Sequence, residues 1–303
     1  MKTKNEIVHK SVLLKEIIAS LNLAQNSVLV DGTFGGGGHS REIAEKYPNV
    51  KIIALDQDKG VFEKFENNCG EKKYKISFHN SNFRKIDEVL EEEKIEKVNG
   101  IILDLGLSSD QLEDGERGFS FMKDEPLLMT MKKNPSKEDT TAFDVVNFWS
   151  EKSLADVIYG YGEERFAKKI AREIVNTRTE KEIKTTGELV TIIKKAIPQK
   201  FRKGKIHFAT KTFQALRIAV NDELGALSEG LEKGFNCLSK GGRLSIISFH
   251  SLEDRIVKRF FKEKEKKGEA ILINKKPIQA NITEIKINPR ARSAKLRILE
   301  KII

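Results

Sequence analysis

The stretch that most limits how this chain can fold is Val28-Leu29-Val30-Asp31-Gly32-Thr33-Phe34-Gly35-Gly36-Gly37-Gly38-His39-Ser40. A short apolar run ends on an acid, and four consecutive glycines follow. Glycine loses more conformational freedom on folding than any other residue, so four together need a reason. A strand turning through such a loop into a helix, from about Arg41, is the opening unit of an α/β sheet. Ligands of such sheets sit where the chain leaves a strand's carboxyl end. Spacing excludes two familiar uses of glycine loops. A phosphate loop ends in Gly-Lys-Ser/Thr, whereas this run ends in Gly38-His39-Ser40. The dinucleotide fingerprint G-x-G-x-x-G would need glycine at Ser40 or Arg41.

Short β-branched runs at 28–31, 51–56, 75–78 and 100–104 alternate with helical patterns at 41–47, 59–68 and 86–94. That alternation predicts βαβ units and a parallel sheet. An amphipathic opening helix (Leu13, Leu14, Ile17, Ile18, Leu21) precedes it, with Ser11 placed to cap it. After Asp104 the alternation stops, and 111–143 shows no clear period. Helices then dominate, with Thr185 and Glu188 at capping-box spacing. One long helix is predicted from Phe213 to Leu238, stopped at Gly241-Gly242. An apolar strand (243–250), a helix (252–264) and a hairpin (270–275 with 295–302) follow. The expectation is an α/β sheet domain in two parts, 1–108 and 207–303, interrupted by a mainly helical insertion at 109–206.

The 303 residues carry a net charge of +10, unevenly spread. From Lys194 to Arg217 there are eight Lys or Arg and no acid, and a second basic stretch is Asn288-Pro-Arg-Ala-Arg-Ser-Ala-Lys-Leu-Arg297. Clustered basic charge points to a polyanionic partner such as nucleic acid. No apolar run approaches the length of about 18 residues that suggests a membrane span, and the N-terminus lacks the apolar core of a signal peptide. Cys69 and Cys237 have neither disulfide-framework nor metal-like spacing, which suits a reducing cytoplasm. Asp56, closing the second strand, is placed to accept hydrogen bonds from ribose hydroxyls, so an adenosyl ligand without a pyrophosphate fits. The fourth strand delivers Asp104 and, just beyond it, Ser108 and Ser109.

The segments HKSVLLKE, VDGTFGGGGHS, ILDLGLSSDQL, ERGFSF, YGEERFAKKIAR, ATKTFQALRIAVNDEL, GGRLSIISFHSLEDRIVKRFF and NPRARSAKLR span His9 to Arg297. In this order they resemble the ribosomal RNA small subunit methyltransferase H family, also called MraW. The resemblance implies a class I S-adenosylmethionine-dependent methyltransferase, a Rossmann-like α/β sheet with an inserted helical domain. The implied activity is N4 methylation of a cytidine in the decoding centre of 16S rRNA. The implied partner is 16S rRNA or the small subunit, in the cytoplasm, with no membrane and no metal; a homodimer stays open. Carried over by motif, the cofactor contacts would be Gly37, Gly38, His39, Asp56, Phe83, Asp104 and Gln111, with Phe83 able to pack on adenine. One stretch departs from the family: where relatives usually read D-G-P-L-D-M-R-M-D, this chain has Glu125, Leu128, Thr130 and Lys132.

The exocyclic amine of cytosine is a poor nucleophile and must be held in line with a methyl donor. Asp104, helped by Ser108 or Ser109, is the expected group to orient it, and Phe119 and Phe121 are candidates for stacking on a displaced base. His250, ending the strand at 243–250, faces the same expected cleft. Gln214, Arg217 and Asn221 share one helix face by spacing. With Lys200, Arg202, Lys203, Lys205, Arg290 and Arg292 they form the expected RNA contacts. Two alternatives remain open at this level: a methyltransferase for another nucleic acid or a small amine, and a non-catalytic RNA-binding assembly factor that keeps a cofactor fold.

Overall fold

The computed structural model describes residues 11–303, apart from 71, 109, 110, 112–115 and 205. The chain divides into two compact units: Met1–Ser109 with Leu224–Ile303, and Asp110–Glu223. The second unit therefore extends beyond 206, the end expected from sequence, and takes in one further helix.

In the first unit the apolar runs become strands β1 (Val28–Asp31), β2 (Lys51–Asp56), β3 (Ile76–Asn80), β4 (Val98–Asp104), β5 (Leu238–Ser248), β6 (Ala270–Leu272) and β7 (Lys295–Lys301). They form one sheet in the order β3-β2-β1-β4-β5-β7-β6. β1 to β5 run parallel, with Val30 beside Ile53 and Ile101; β7 is antiparallel to both β5 and β6. Successive strand residues face opposite sides, and both sides are covered. Val30, Ile53, Leu55, Ile101, Leu103, Leu244 and Ile246 share one cluster with helices α4 (Ile86–Glu92), α10 (Glu223–Cys237) and α11 (Ser251–Lys266). Their neighbours Leu29, Ile52, Ile102 and Ile247 meet α1 (Leu14–Ser20) and α2 (Gly38–Lys46) on the other side. Ala54 completes that side, meeting Phe34 and the phenylalanines of α3 (Gly60–Cys69).

Two local expectations are corrected. Ser11 does not cap α1: the capping position is Leu13, in a left-handed conformation, and its N–H donates to Glu284 Oε1 at 2.7 Å. The single long helix is two, α9 (Thr210–Asn221) and α10, because Asp222 adopts φ 46° and ends the first. An unbroken apolar stripe cannot register such a break, since aspartate tolerates the left-handed region better than most residues.

The second unit is built from α5 (Ala142–Phe148), α6 (Glu151–Gly160), α7 (Ala167–Glu180), α8 (Thr186–Ala196) and α9. Thr185 and Glu188 do form a capping box at the start of α8. The aperiodic segment before α5 is held by backbone bonds: Thr186 N–H donates to Glu125 O, and Leu127 N–H to Lys184 O. The residues that depart from the family pattern take structural partners here. Glu125 is buried and its Oε2 accepts from Gly118 N–H at 3.0 Å, while Lys132 pairs with Asp139.

Candidate functional site

The glycine run turns at the carboxyl end of β1. Gly35 and Gly37 have φ of +51° and +70°, conformations that side chains rarely adopt. A Cβ on Gly37 would also collide with the rings of Phe34 and Phe65, and one on Gly38 with Ser11 Oγ. Gly36 differs, since a Cβ there would meet nothing within 4 Å among the described residues. The loop is tied down by the acid at the end of β2. Asp56 Oδ2 accepts from Gly35 N–H at 2.8 Å, and Oδ1 from Asp58 N–H at 2.9 Å. Burial pushes the Asp56 carboxyl up to about 6, against those hydrogen bonds.

Two further acids close neighbouring strands. Asp31, on β1, accepts from Ser40 Oγ at 2.6 Å and from Thr33 N–H at 3.3 Å, and its burial raises it to about 6. Asp104, on β4, is raised further, to about 8, first by burial and then by the negative charges of Asp31 and Glu253. Its backbone N–H donates to Thr33 Oγ1 at 2.6 Å. Its side-chain Oδ1 is buried with no hydrogen-bond partner among the described residues. His39, on α2, has Nε2 3.0 Å from the carbonyl of Val12 and Nδ1 3.9 Å from Asp104 Oδ2. Asp104 and His39 are thus brought near one another.

Phe83 opens a 3-10 turn (Phe83–Lys85) just after β3. A Cβ on Gly230 would come within 2.5 Å of its ring, so part of the ring is spent on packing against α10. Ser108 is half-buried after β4; Ser109 lies outside the described residues.

His250 is the N-cap of α11: its side chain accepts from Glu253 N–H while Glu253 Oε2 accepts from His250 N–H, at 3.4 and 3.2 Å. It orders the start of that helix. Sequence reading missed Glu253 as a contributor to the site. The signal was there in His250-Ser-Leu-Glu253, a capping box with histidine in the place of serine or threonine.

In the second unit Gln111 is buried, and the shared face of Gln214, Arg217 and Asn221 is engaged internally. Gln214 donates to Tyr161 O at 3.1 Å. Arg217 holds Glu223 through two bonds of 2.7 and 2.8 Å. Asn221 donates to Met129 O and Arg217 O and accepts from Met131 N–H. These three cohere the helical unit instead of forming an open polar track. Lys200 and Lys203 are exposed; Arg202 is half-buried and donates to Ile197 O; Lys205 lies outside the described residues. Beside them is a cavity of about 430 Å³ lined by Arg165, Phe166, Phe201, His207, Phe208 and Lys211. The Arg165 guanidinium lies 3.7 Å from the centre of the Phe201 ring. Phe121 stacks on His207 at 4.6 Å, and Phe119 is buried with Arg117 over its ring. In the first unit, Arg292 is exposed and Arg290 half-buried on a 3-10 turn, Pro289–Ser293.

Residues 6–302 match the MraW methylase family. A protein of Clostridium botulinum (strain Kyoto / Type A2), named ribosomal RNA small subunit methyltransferase H, is 49% identical, with 98% of this chain and 100% of that protein covered. Its namesake in Clostridioides difficile (strain 630) is 44% identical over the same shares of each chain. Among solved structures, an rRNA methylase from Streptococcus thermophilus superposes with a TM-score of 0.44 at 12% identity, covering 96% of this chain and 94% of that one.

Proposed function

The chain belongs to the MraW methylase family, and from that premise we propose that it transfers a methyl group from S-adenosylmethionine to the N4 amine of a cytidine in the decoding centre of 16S rRNA. The observation that carries the chemistry is the half-buried carboxyl of Asp104 at the end of a central strand, whose Oδ1 is buried and unpartnered among the described residues. Burying a polar oxygen without a partner is costly, so such an atom marks a place where a ligand donates.

The residues at the strand ends suit the cofactor. They offer acids for its cationic groups and its ribose hydroxyls, and a loop whose Gly36 leaves open space for close approach. Gly37, Gly38 and His39 would hold its methionine side, Asp56 its ribose, and Phe83 its adenine. When bound, it supplies an electrophilic methyl on a sulfonium. Asp104 then has two tasks: to accept a hydrogen bond from N4–H, which directs the amine lone pair, and to take the proton that N4 must lose. Thr33 fixes the Asp104 backbone, and Ser40 and Thr33 fix Asp31 behind it.

RNA enters this reading through the basic surface of the helical unit, where Lys200, Arg202 and Lys203 lie beside an aromatic cavity of mixed charge, with Arg165 and Lys211 set against Glu163 and Glu164. Arg290 and Arg292 would add phosphate contacts from the sheet unit. The helical unit is read as the part that recognises substrate. No helix among the described residues is long and apolar enough to cross a membrane, and a ribosomal substrate places the enzyme in the cytoplasm.

The test is methyl transfer from labelled S-adenosylmethionine to free 16S rRNA, assembled small subunits and DNA, followed by mass mapping of the product nucleoside. N4-methylcytidine at one rRNA position is the expected result. Label in DNA alone would replace RNA as the substrate, and cofactor binding without transfer to any of the three would favour a non-catalytic assembly factor.

A further inference from the structure

A base that is to be methylated has a flat ring to be held, and an aromatic side chain can hold it by stacking. The two rings that the sequence offers for this task are engaged inside the helical unit. Phe119 is buried with Arg117 over its ring. Phe121 stacks on His207 at 4.6 Å and meets Phe213 edge-on at 5.4 Å. In the sheet unit most rings are paired as well, one group around Phe34 and another around Phe260. Phe83 and Phe249 are the exceptions, with no ring or cation partner among the described residues.

Phe249 stands just past the carboxyl end of β5, on the Asp104 side of the sheet. Ile247 is the register partner of Asp104, so their side chains share a side. Phe249, two residues on, packs against the cluster that holds Ile247 and Ile102, yet stays half-buried. Ligands of such a sheet sit beyond these strand ends. The loop that leaves Asp104 passes the ring: Gly106 has φ +95°, and a Cβ on it would lie 3.7 Å from Phe249 Cδ2. Backbone bonds fix the turn. Leu105 N–H donates to Ile247 O at 3.0 Å, and Glu253 Oε2 accepts from Phe249 N–H at 2.8 Å and from His250 N–H at 3.2 Å. A cation is carried on the neighbouring turn. Lys295 of β7 stands opposite Ser248, so the turn Pro289–Ser293 that leads into β7 runs past Phe249, and its Ala291 shares the same cluster. Asp254 takes Lys295 and Arg297 at 3.3 and 2.7 Å. Arg292 is exposed, with no acid partner among the described residues.

We propose that Phe249 is the platform on which the target cytosine stacks, and that Arg292 holds a phosphate of the same RNA strand. This rests on the methyl-transfer reading given above and names the residue that holds the acceptor ring. A base stacked on Phe249 presents its exocyclic amine at the strand ends, where Asp104 Oδ1 is unpartnered among the described residues. An aromatic face holds any base, so the choice of cytosine falls to the groups that meet its edge. The two residues divide the work. The ring orders the acceptor, and the arginine adds affinity that depends on salt.

The experiment measures methyl transfer by the full chain to whichever of free 16S rRNA and small subunits accepts label in the assay above. Phe249→Leu keeps apolar bulk and removes the aromatic face. Its kcat/KM should fall by about 5- to 150-fold, the span of one base–aromatic stack. Its affinity for S-adenosylhomocysteine should stay within a few-fold of wild type, and the salt slope of RNA binding should not change. Phe249→Tyr keeps the face and should transfer methyl within a few-fold of wild type. Arg292→Glu should instead lower the salt slope by about 0.7 to 0.9; an unchanged slope would remove the phosphate contact. An unchanged kcat/KM in Phe249→Leu overturns the stacking proposal. So does a loss that Phe249→Tyr shares in full, because the ring would then serve packing alone. A second measurement needs no variant: wild-type protein is irradiated with rRNA carrying 5-iodocytidine at the methylated position. A crosslink at Phe249 is expected; none, or one placed elsewhere, Phe119 and Phe121 included, overturns the proposal. If no RNA accepts methyl, the methyl-transfer reading itself falls and takes this inference with it, whereas normal transfer that ignores Phe249 strikes the inference alone.

Discussion

The strand ends of the sheet unit and the basic stretch of the helical unit treat charge in opposite ways. Asp31 and Asp56 are held by a hydroxyl and backbone amides, Asp104 leaves its Oδ1 unpartnered among the described residues, and burial drives all three above the ordinary carboxylate range. Lys200 and Lys203 are left in solvent. Glu93, in the same unit as the three acids, sharpens the contrast: Lys51 and His79 hold it, and it falls to about 2. The fold can therefore pair an acid with a base and does so at Glu93. At the strand ends no lysine or arginine among the described residues pairs with the acids, as suits a site for a small cationic ligand, whereas exposed bases suit a polyanion that arrives from solution.

The largest effect expected on this contrast is from Asp104→Asn, which keeps the shape and removes the proton acceptor. Methyl transfer should fall by about 10²- to 10⁴-fold, the range for a lost general base, with S-adenosylhomocysteine affinity within a few-fold of wild type. Activity near wild type in a single-turnover assay would remove Asp104 from the chemistry.

Next in size is a pair of glycine substitutions. Gly37→Val forces a β-branched residue into a positive φ against Phe34 and Phe65. It should cost more than the roughly 1–2 kcal/mol of the left-handed conformation alone, and lower the melting temperature. Gly36→Ala meets nothing within 4 Å and should leave stability unchanged, yet weaken S-adenosylmethionine binding by tenfold or more. Calorimetry with thermal melts separates the two. Equal binding by Gly36→Ala and wild type would mean that the open side of the loop is not where the ligand lies.

Much of this site could be read from the chain. The glycine loop, Asp31, Asp56 and Asp104 follow from strand endings, because an apolar run that stops at an acid fixes both the strand and the place of its last side chain. The succession of β1 to β4 along the chain was legible from their alternation with helical patterns. Glu253 was not, since its part depends on β5 lying beside β4, a pairing across more than a hundred residues that no local pattern records. The internal partners of Gln214 and Asn221 were not legible from helix periodicity. The spacing told correctly that they share a face, but partners such as Tyr161, Met129 and Met131 come from distant loops. The break at Asp222 escaped because a single left-handed residue leaves the apolar stripe intact.

Stability against pH probes the contrast without any ligand. Asp31, Asp56 and Asp104 have folded values of about 6, 6 and 8, against a reference of 3.8. Raised acids favour the folded state when protonated, so their contribution is complete below about 4 and is lost as pH climbs through 6 and then 8. Glu93 has the opposite sign: its folded value of about 2 lies below the reference 4.5, and its contribution is lost as pH falls through that interval. From these four groups melting temperature should thus be highest near pH 4, decline most steeply between about 4 and 6, where all three acids lose their contribution, and more gently on to about 8, where only Asp104 does. In Asp104→Asn the decline above pH 7 should flatten; an unchanged decline would place the titrating group elsewhere.

The smallest effect separates surface charge from charge used inside the helical unit. Each phosphate contact contributes about 0.7 to 0.9 to the slope of log affinity against log salt. Lys200→Glu with Lys203→Glu should reduce that slope for 16S rRNA fragments by one to two such increments and leave the melting temperature nearly unchanged. Arg217→Ala should do the reverse, because its guanidinium is bound through two hydrogen bonds to Glu223 within a helical pair of contacts that Asn221 completes. Losing a partly buried arginine–carboxylate pair costs the protein stability, on the order of 1–3 kcal/mol, while the number of counterions released by RNA stays the same. A salt slope that drops with Arg217→Ala and holds with the lysine reversals would exchange their roles, and would return α9 to the RNA-facing surface that its sequence spacing first suggested.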